Sequence, residues 1–334
     1  QIGTFLHFVL EHVLQEAMDR GGVGSLSEEE LRRLSAHYIN CYVEMTMGRM
    51  TEMSERLRYL LNRLRSTVYT VVGNVCGELR ESDFVPVAFE LSFGEKGKIP
   101  AITIREAGVT LSVSGKVDRV DAWRRGNKLY VRAVDYKTGH KSFDLSDIRH
   151  GLNLQLLLYL FTLEREGKRL FGYDVVPAGV LYLPARDVIL HMDRTADEET
   201  LRRAFDKELR RSGLLLGDRE VLAAMEHTAL TEPRYLPLAL DKDHKITKGI
   251  ASAAELGKLS RYVDYQLRQV AKEVGGGNID ADPCYYSEAN NACTYCEFAP
   301  ACHFGDSLAE DRISPIYPVR PEEFWREVDE KIGE

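Results

Sequence analysis

Gly115-Lys-Val-Asp118-Arg-Val-Asp121, followed after a short charged turn by Val134-Asp135-Tyr136-Lys137-Thr-Gly139, reads as two neighbouring strands that deliver two carboxylates and a lysine to one place. In Val131-Arg-Ala-Val-Asp-Tyr-Lys137 the strand period of two puts Val131, Ala133, Asp135 and Lys137 on one face and turns Tyr136 to the other. The run from Leu111 to Asp118 alternates as well. Arg124-Arg-Gly-Asn127 between the two runs is a hairpin-type connection that returns the chain antiparallel beside itself. The expected consequence is that Asp118 faces Asp135 across the strand pair.

Two carboxylates held close repel each other, and a divalent cation relieves the repulsion, so the pair points to a hard-oxygen site suited to Mg²⁺ or Mn²⁺. Lys137 then has a role: an ammonium beside the attacking water and a scissile phosphate orients or deprotonates the water and neutralises charge in the transition state. Asp-x-Lys alone is common and usually marks a surface ion pair. Here Asp135 and Lys137 end an apolar strand, and Thr138-Gly139 turns the chain directly after them. The helix that follows, beginning near 148–151, contains Leu152-Asn-Leu-Gln-Leu-Leu-Leu-Tyr-Leu-Phe161, apolar nearly all round and therefore expected to be buried. Gln155 and Tyr159, at i and i+4, share a face from which they either bond each other or reach a phosphate or base.

In this order, Gly-x-x-Asp-Arg-x-Asp at 115–121, Val-Asp-Tyr-Lys-Thr-Gly at 134–139 and Gln-x-x-x-Tyr at 155–159 resemble the RecB-type PD-(D/E)XK nucleases. The likeness is strongest to the C-terminal nuclease domains of the AddB family of ATP-dependent helicase-nucleases, and it runs from residue 3 to the cysteines near 302. It implies an α/β fold with a restriction-endonuclease-like core in αβββαβ order, a helical N-terminal region and helical insertions. It further implies a metal-dependent DNA exonuclease that processes double-strand-break ends for recombinational repair. Such a domain takes a single-stranded DNA end from a helicase, in a cytoplasmic heterodimer with an AddA-like helicase-nuclease subunit.

Under the resemblance His7, Asp118 and Asp135, with the Tyr136 carbonyl as an extra ligand, hold Mg²⁺ or Mn²⁺. Lys137 places the water, and Gln155 and Tyr159 position the substrate strand. His7 lies in Gly3-Thr-Phe-Leu-His7-Phe-Val-Leu-Glu11, which looks like the family's Gly-x-x-x-His helix; without the likeness it is an ordinary helix histidine. Glu90 stands where such nucleases contribute an acid, although a strand-edge glutamate is the plainer reading, and Glu11 has no assigned role. Two rival readings are a free-standing CRISPR-associated RecB-type iron-sulfur nuclease, which is more compact and does not account for the insert from Thr195 to Val274, and a catalytically silent module that binds DNA or a partner. Against the second, Asp118, Asp135 and Lys137 are all intact.

Cys293-Thr-Tyr-Cys296-Glu-Phe-Ala-Pro-Ala-Cys302 gathers three cysteines at metal-ligand spacing, but three thiolates do not complete a tetrahedral sulfur site. The AddB likeness implies a [4Fe-4S] cluster whose fourth ligand precedes the Gly-x-x-x-His helix, so the cluster is expected to be incomplete here. Zinc, with Cys284 or a histidine as fourth ligand, is the alternative. Cys41 and Cys76 sit among apolar residues in helical patterns and read as small buried hydrophobes.

At 334 residues, 44% hydrophobic and 29% charged, without an apolar run of membrane-spanning length or a signal-peptide pattern, the chain reads as one large or two modest globular domains of the reduced cytoplasm. Six cysteines in so long a chain do not form a disulfide framework. The net charge of −8 argues against a generic basic nucleic-acid coat, yet a local basic groove still steers DNA on an acidic protein. Arg202-Arg203, Arg210-Arg211, Arg261 and Arg268 are candidate phosphate contacts, set against ordinary solvated helix faces. No Gly-x-x-x-x-Gly-Lys-Ser/Thr loop is present, so the sequence carries no sign of an ATP site.

Periodicity predicts helices over 2–18, 27–50 and 51–79, the second entered through Ser25-Leu-Ser27-Glu-Glu. Strands are expected over 86–93, 102–104, 109–120 and 128–135, then the Gln155 helix, then a strand at 178–183 with 188–192 as a partner. Amphipathic helices over 196–228 and 251–274 and a last short helix complete the pattern. The expected parts are residues 1–80, helical and carrying His7; 81–195, the core sheet and Gln155 helix; and 196–334, the insert and cysteine segment.

Overall fold

A computed structural model describes residues 2–47, 54–190, 196–305 and 312–333 of the chain. Three helices come first: α1 (Ile2–Asp19), α2 (Glu28–Met47) and α3 (Glu55–Arg80). In α1 Phe5, Leu6, Val9, Leu10, Val13, Leu14 and Ala17 are buried, a stripe at helical spacing. Each of its large side chains contributes about 1.5–3 kcal/mol on burial. A reciprocal cap starts α2: the Glu30 N–H donates to Ser27 Oγ at 3.2 Å, and the Ser27 N–H to Glu30 Oε2 at 2.8 Å. The expected junction between the second and third helices, at Met50 and Thr51, lies outside the described residues.

Next come β1 (Val85–Phe93), a hairpin of β2 (Ile102–Glu106) and β3 (Val109–Val113), then β4 (Gly115–Arg125) and β5 (Lys128–Lys137). They are followed by the short α4 (Leu145–Arg149), α5 (Gln155–Phe171), β6 (Asp174–Pro184), α6 (Glu198–Leu209), β7 (Ser212–Leu216) and α7 (Arg219–Met225). Small strands β8 (Ala239–Leu240), β9 (Ile246–Lys248) and β10 (Ile250–Ala251) lead into α8 (Ala253–Gly275). The last stretch holds β11 (Cys284–Ser287), β12 (Asn290–Asn291), α9 (Ala299–Cys302), β13 (Ser314–Pro315) and α10 (Pro321–Ile332).

The six-stranded sheet has the order β1-β4-β5-β6-β7-β10. Its first three strands are antiparallel neighbours, whereas β5 and β6 run parallel and are joined through α5, the connection a parallel pair requires. This is the αβββαβ core that the motifs imply, with β7 and β10 added at one edge.

Four sequence expectations are corrected. The run 109–120 is two strands, because residues before Ser114 pair with β2 and residues after it with β1 and β5. Val188–Leu190 form no strand, His191 and Met192 lie outside the described residues, and the second neighbour of β6 is β7. The stretch 196–228 is α6, β7 and α7 rather than one continuous helical region. Ser212-Gly-Leu-Leu-Leu becomes a strand by pairing with Gly179–Tyr182, and Gly213 permits the approach, since a Cβ there would stand 2.0 Å from the Val180 carbonyl oxygen. The Gln155 helix also begins later than expected, at Gln155 itself, behind the separate turn α4 capped by Asp144.

The chain forms two compact units. One comprises residues 1–101, 114–143 and 156–256, with the opening helices and the main sheet; the other comprises 102–113, 144–155 and 257–334. In the second, Phe324 and Val328 of α10 are buried, Tyr262 meets the Phe324 ring edge-on, and Arg149 pairs with Glu327 at 2.7 Å. Among the described residues no helix is long and apolar enough to cross a membrane.

Candidate functional site

The strand registers align the acids in one row. Phe89 pairs with Arg119 and Leu91 with Val117, which puts Glu90 beside Asp118. Arg119 pairs with Val134, so the next position sets Asp118 across from Asp135, and Asp135 pairs with Tyr182 on β6. Glu90, Asp118, Asp135 and Tyr182 thus follow one another across β1, β4, β5 and β6.

Above this row stands α1. Its apolar stripe faces the core and leaves His7 half-buried on the flank, with Nδ1 3.4 Å from Asp118 Oδ1 and 3.8 Å from Glu90 Oε1. On the other side of the ring, Nε2 donates to the Tyr136 carbonyl at 3.2 Å. That bond keeps a proton on Nε2 and leaves Nδ1 facing the carboxylates. Asp118 is aimed in the same way, because its Oδ2 accepts the Tyr136 N–H at 2.7 Å while Oδ1 points to His7. One peptide position, Tyr136, therefore orients both groups.

Among the described residues, His7, Glu90 and Asp118 are the one group of three metal-ligand side chains whose donor atoms all lie within 4.8 Å of one another. Asp135 is next to them in register, but its Oδ2 is 2.5 Å from Lys137 Nζ. The Lys137 ammonium also lies 5.8 Å from the Tyr182 ring centroid. Glu90 in turn pairs with Lys116.

The charges are strongly coupled. Burial works against the His7 cation, but its bonds to Asp118 and Glu90 outweigh this and raise its pKa to about 10. Burial and the neighbouring Asp118 push the Asp135 pKa up, with Lys137 opposing. Glu90 is held below its ordinary value by His7 and Lys116, while Glu11, one helical turn from His7, is raised by burial and by Glu90. Asp118, Glu90 and Asp135 are thus each matched by a bonded cation, His7, Lys116 and Lys137 in turn.

The sequence alone makes Glu90 a strand-edge glutamate; the structure puts it in the row. Its backbone adopts φ 45°, the left-handed region that costs an L-residue about 1–2 kcal/mol. A non-glycine residue held there marks a constraint other than stability. Glu90→Gly should accordingly fold with unchanged or slightly raised stability in thermal melts, while losing cation affinity in calorimetric titration. A variant that melts well below the wild type would mean that Glu90 serves the strand.

The other expected site residues are placed as follows. Tyr159 is buried on α5, edge-on to Phe93 with ring centroids 5.1 Å apart. A Cβ on Gly115 would come within 3.0 Å of its hydroxyl, which accounts for the glycine that opens the Gly-x-x-Asp motif. Gln155 is exposed at the first position of the same helix. Cys293 is half-buried and Cys296 and Cys302 are exposed, all three as free thiols; Cys284 is half-buried. Cys76 is fully buried, its thiol pushed up to about 11 by burial, and Cys41 is half-buried with its sulfur 3.6 Å from His37 Nε2.

Of the candidate phosphate-binding arginines, Arg211 is corrected: it is 2% exposed and bonds Glu78 through Nε at 3.1 Å and Nη2 at 2.6 Å. Arg203 pairs with Glu199 and Arg268 with Glu106. Arg211 belongs to a buried ionic layer with Glu78 of α3, Arg119 and Asp121 of β4 and Arg132 of β5. These strand residues alternate with Asp118 and Asp135, so the layer lies on the opposite face of the sheet. Its link to the site is Arg119, which donates to the Tyr136 hydroxyl at 3.4 Å.

Comparison with known proteins agrees with this geometry. The profile of the PD-(D/E)XK nuclease superfamily matches residues 1–303. One of the subunits of the ATP-dependent helicase/deoxyribonuclease of Acetivibrio thermocellus is 32% identical over 328 residues, covering 97% of this chain and 28% of that protein. Its namesakes from Clostridium kluyveri and Clostridioides difficile are 29% and 28% identical, over 100% and 94% of this chain. The chain thus spans less than a third of the length of these curated relatives, 28–29%.

Proposed function

The chain belongs to the PD-(D/E)XK nuclease superfamily, and on that premise we propose that it hydrolyses DNA phosphodiester bonds with Mg²⁺ or Mn²⁺ held by His7, Asp118 and Asp135, with Glu90 as a further carboxylate of the same row. The observation that carries the reading is the convergence of one imidazole and two carboxylates within 4.8 Å beside the Asp135–Lys137 pair. Oxygen donors with a single imidazole and no thiolate suit these hard cations. When bound, the cation supplies Lewis acidity toward the scissile phosphate and acidifies the attacking water.

The protein's own groups do the rest. Lys137 holds the water in line and donates to the charge that develops on the phosphoryl oxygens. Asp135 fixes the ammonium and, beside Asp118, adds negative charge for the cation. The Tyr136 carbonyl, expected from the family likeness to be a ligand itself, fixes the His7 tautomer in this arrangement and keeps a second lone pair for the cation. Gln155 and Tyr159 position the substrate strand.

Cleavage of single-stranded DNA should require Mg²⁺ or Mn²⁺ and stop on chelation. In calorimetric titration with Mn²⁺, Asp118→Asn should weaken binding roughly tenfold or more. His7 carries a proton up to a pKa of about 10 before the cation arrives. Occupancy of Nδ1 at neutral pH must therefore expel one proton, and affinity should rise about tenfold per pH unit between pH 7 and 9. Titration in buffers of different ionisation enthalpy measures this; an affinity independent of pH would remove His7 from the ligand set.

We extend the reading to the assembly named for the relatives. The domain acts as an exonuclease on a single-stranded end delivered by a helicase, in a cytoplasmic heterodimer with an AddA-like partner, during double-strand-break processing. Cys293, Cys296 and Cys302 are three ligands of a [4Fe-4S] cluster, supported by their spacing and free thiols. Residues 1–80 supply His7, 81–195 the core and 196–334 the insert and cysteine segment. Degradation of linear but not circular single strands, co-purification with an AddA-like motor, and iron analysis test these points in turn.

A further inference from the structure

Beside Lys137 opens a cavity of about 240 Å³ whose wall is basic: Lys137, Lys141, Arg186, Lys207 and Arg210 line it, against the single acid Glu208. In a chain of net charge −8 this concentration runs against the background. The acid is already neutralised, since Arg186 Nη2 lies 3.1 Å from Glu208 Oε2. Arg186 also donates from Nη1 to His140 Nε2 at 3.1 Å, which leaves that imidazole a donor at Nδ1. Arg210 is anchored by the Pro233 carbonyl at 2.6 Å, and Lys207 has no carboxylate partner among the described residues. Tyr182 of the row and Lys137, which bonds Asp135 of the row, both line this cavity, so the pocket opens directly beside the reacting centre.

We propose that this cavity is a second phosphate subsite, which holds the phosphodiester next to the scissile one in the same strand. The inference rests on the nuclease reading for the identity of the strand, and on the cavity alone for its affinity for phosphate. Lys207 and Arg210 supply the charge, and Arg186, braced by Glu208 and His140, supplies oriented donors. Two anchored phosphates fix the direction in which the strand crosses Lys137, which a single contact does not.

The test is fluorescence anisotropy with a labelled oligodeoxythymidylate of about 20 nucleotides, in Ca²⁺ to limit cleavage, across a salt series. For Lys207→Gln/Arg210→Gln, affinity should fall about tenfold at low salt, and the slope of log Kd against log salt should shrink by about 0.7, the value for one single-strand phosphate contact. Lys207→Glu alone, an exposed change on α6, should weaken binding at least as much per residue and guards against misfolding of the double variant. A methylphosphonate oligonucleotide, which lacks the backbone charge, should bind wild type and variants alike. Unchanged affinity and slope in both variants would overturn the subsite. Loss of binding in the variants, together with a wild type that cuts no DNA in Mg²⁺ or Mn²⁺, would uphold the subsite and sink the nuclease reading instead.

Discussion

Replacing Glu78 with glutamine is expected to destabilise the protein by about 3–5 kcal/mol, the range for stripping one partner from a buried ion cluster. Glu78 is 1% exposed and faces three guanidinium groups: Arg211 at 2.6 Å, Arg132 at 2.9 Å and Arg119 at 3.9 Å. Without it, three buried cations share the single carboxylate of Asp121. Burial alone would raise the Glu78 pKa, but Arg211, Arg132 and Arg119 prevail and bring it from 4.5 to about 2. A depressed folded pKa contributes stability that is present above the unfolded value and is lost as pH falls toward the folded one. The wild type should therefore lose stability between pH 4.5 and 2, and Glu78→Gln should lose less over that window. Urea unfolding followed by circular dichroism measures both, and a loss under 1 kcal/mol at neutral pH would mean that water has access to the layer.

Lys137→Met should lower the turnover of single-stranded DNA by about 10²–10³, with Mn²⁺ affinity nearly unchanged, because the ammonium acts on charge that appears only in the transition state. Asp135→Asn should cost a similar factor. The double variant should be little worse than either single one, since the two side chains form one unit at 2.5 Å. Stability should move the other way for Asp135→Asn. That carboxylate is buried and repelled by Asp118, so the amide is expected to melt higher than the wild type in the absence of metal. Full cleavage by either single variant would overturn the assignment of both.

The part of the site visible in the sequence is the part governed by strand period. Asp118 and Asp135 can be set face to face because alternation and a short hairpin fix a register, and the structure keeps it. Glu90 is less legible, because no pattern in Pro86-Val-Ala-Phe-Glu-Leu reports that its backbone has φ 45°. The strand at Ser212–Leu216 reads as helix, since its leucines favour helix and its strand identity comes from β6, thirty residues upstream. Asp-Arg-x-Asp is visible at 118–121, but nothing local shows that Arg119 and Arg132 meet Glu78 from α3. Such contacts are set by packing across sequence distance, and a single chain read in windows does not contain them.

The bond from His7 to the Tyr136 carbonyl closes a loop of 129 residues. On a ribosome adding about 5–20 residues per second, the histidine waits roughly 6–26 s before the strand that orients it exists. Asp118 lacks its aiming N–H until the same peptide unit arrives, and Lys137 follows one residue later. His7 and Asp118 are thus aimed together, by one peptide unit, and not one by one. On the proposed function, the nascent chain gains its DNA-cutting site only when α1 and β5 have both been made and have met.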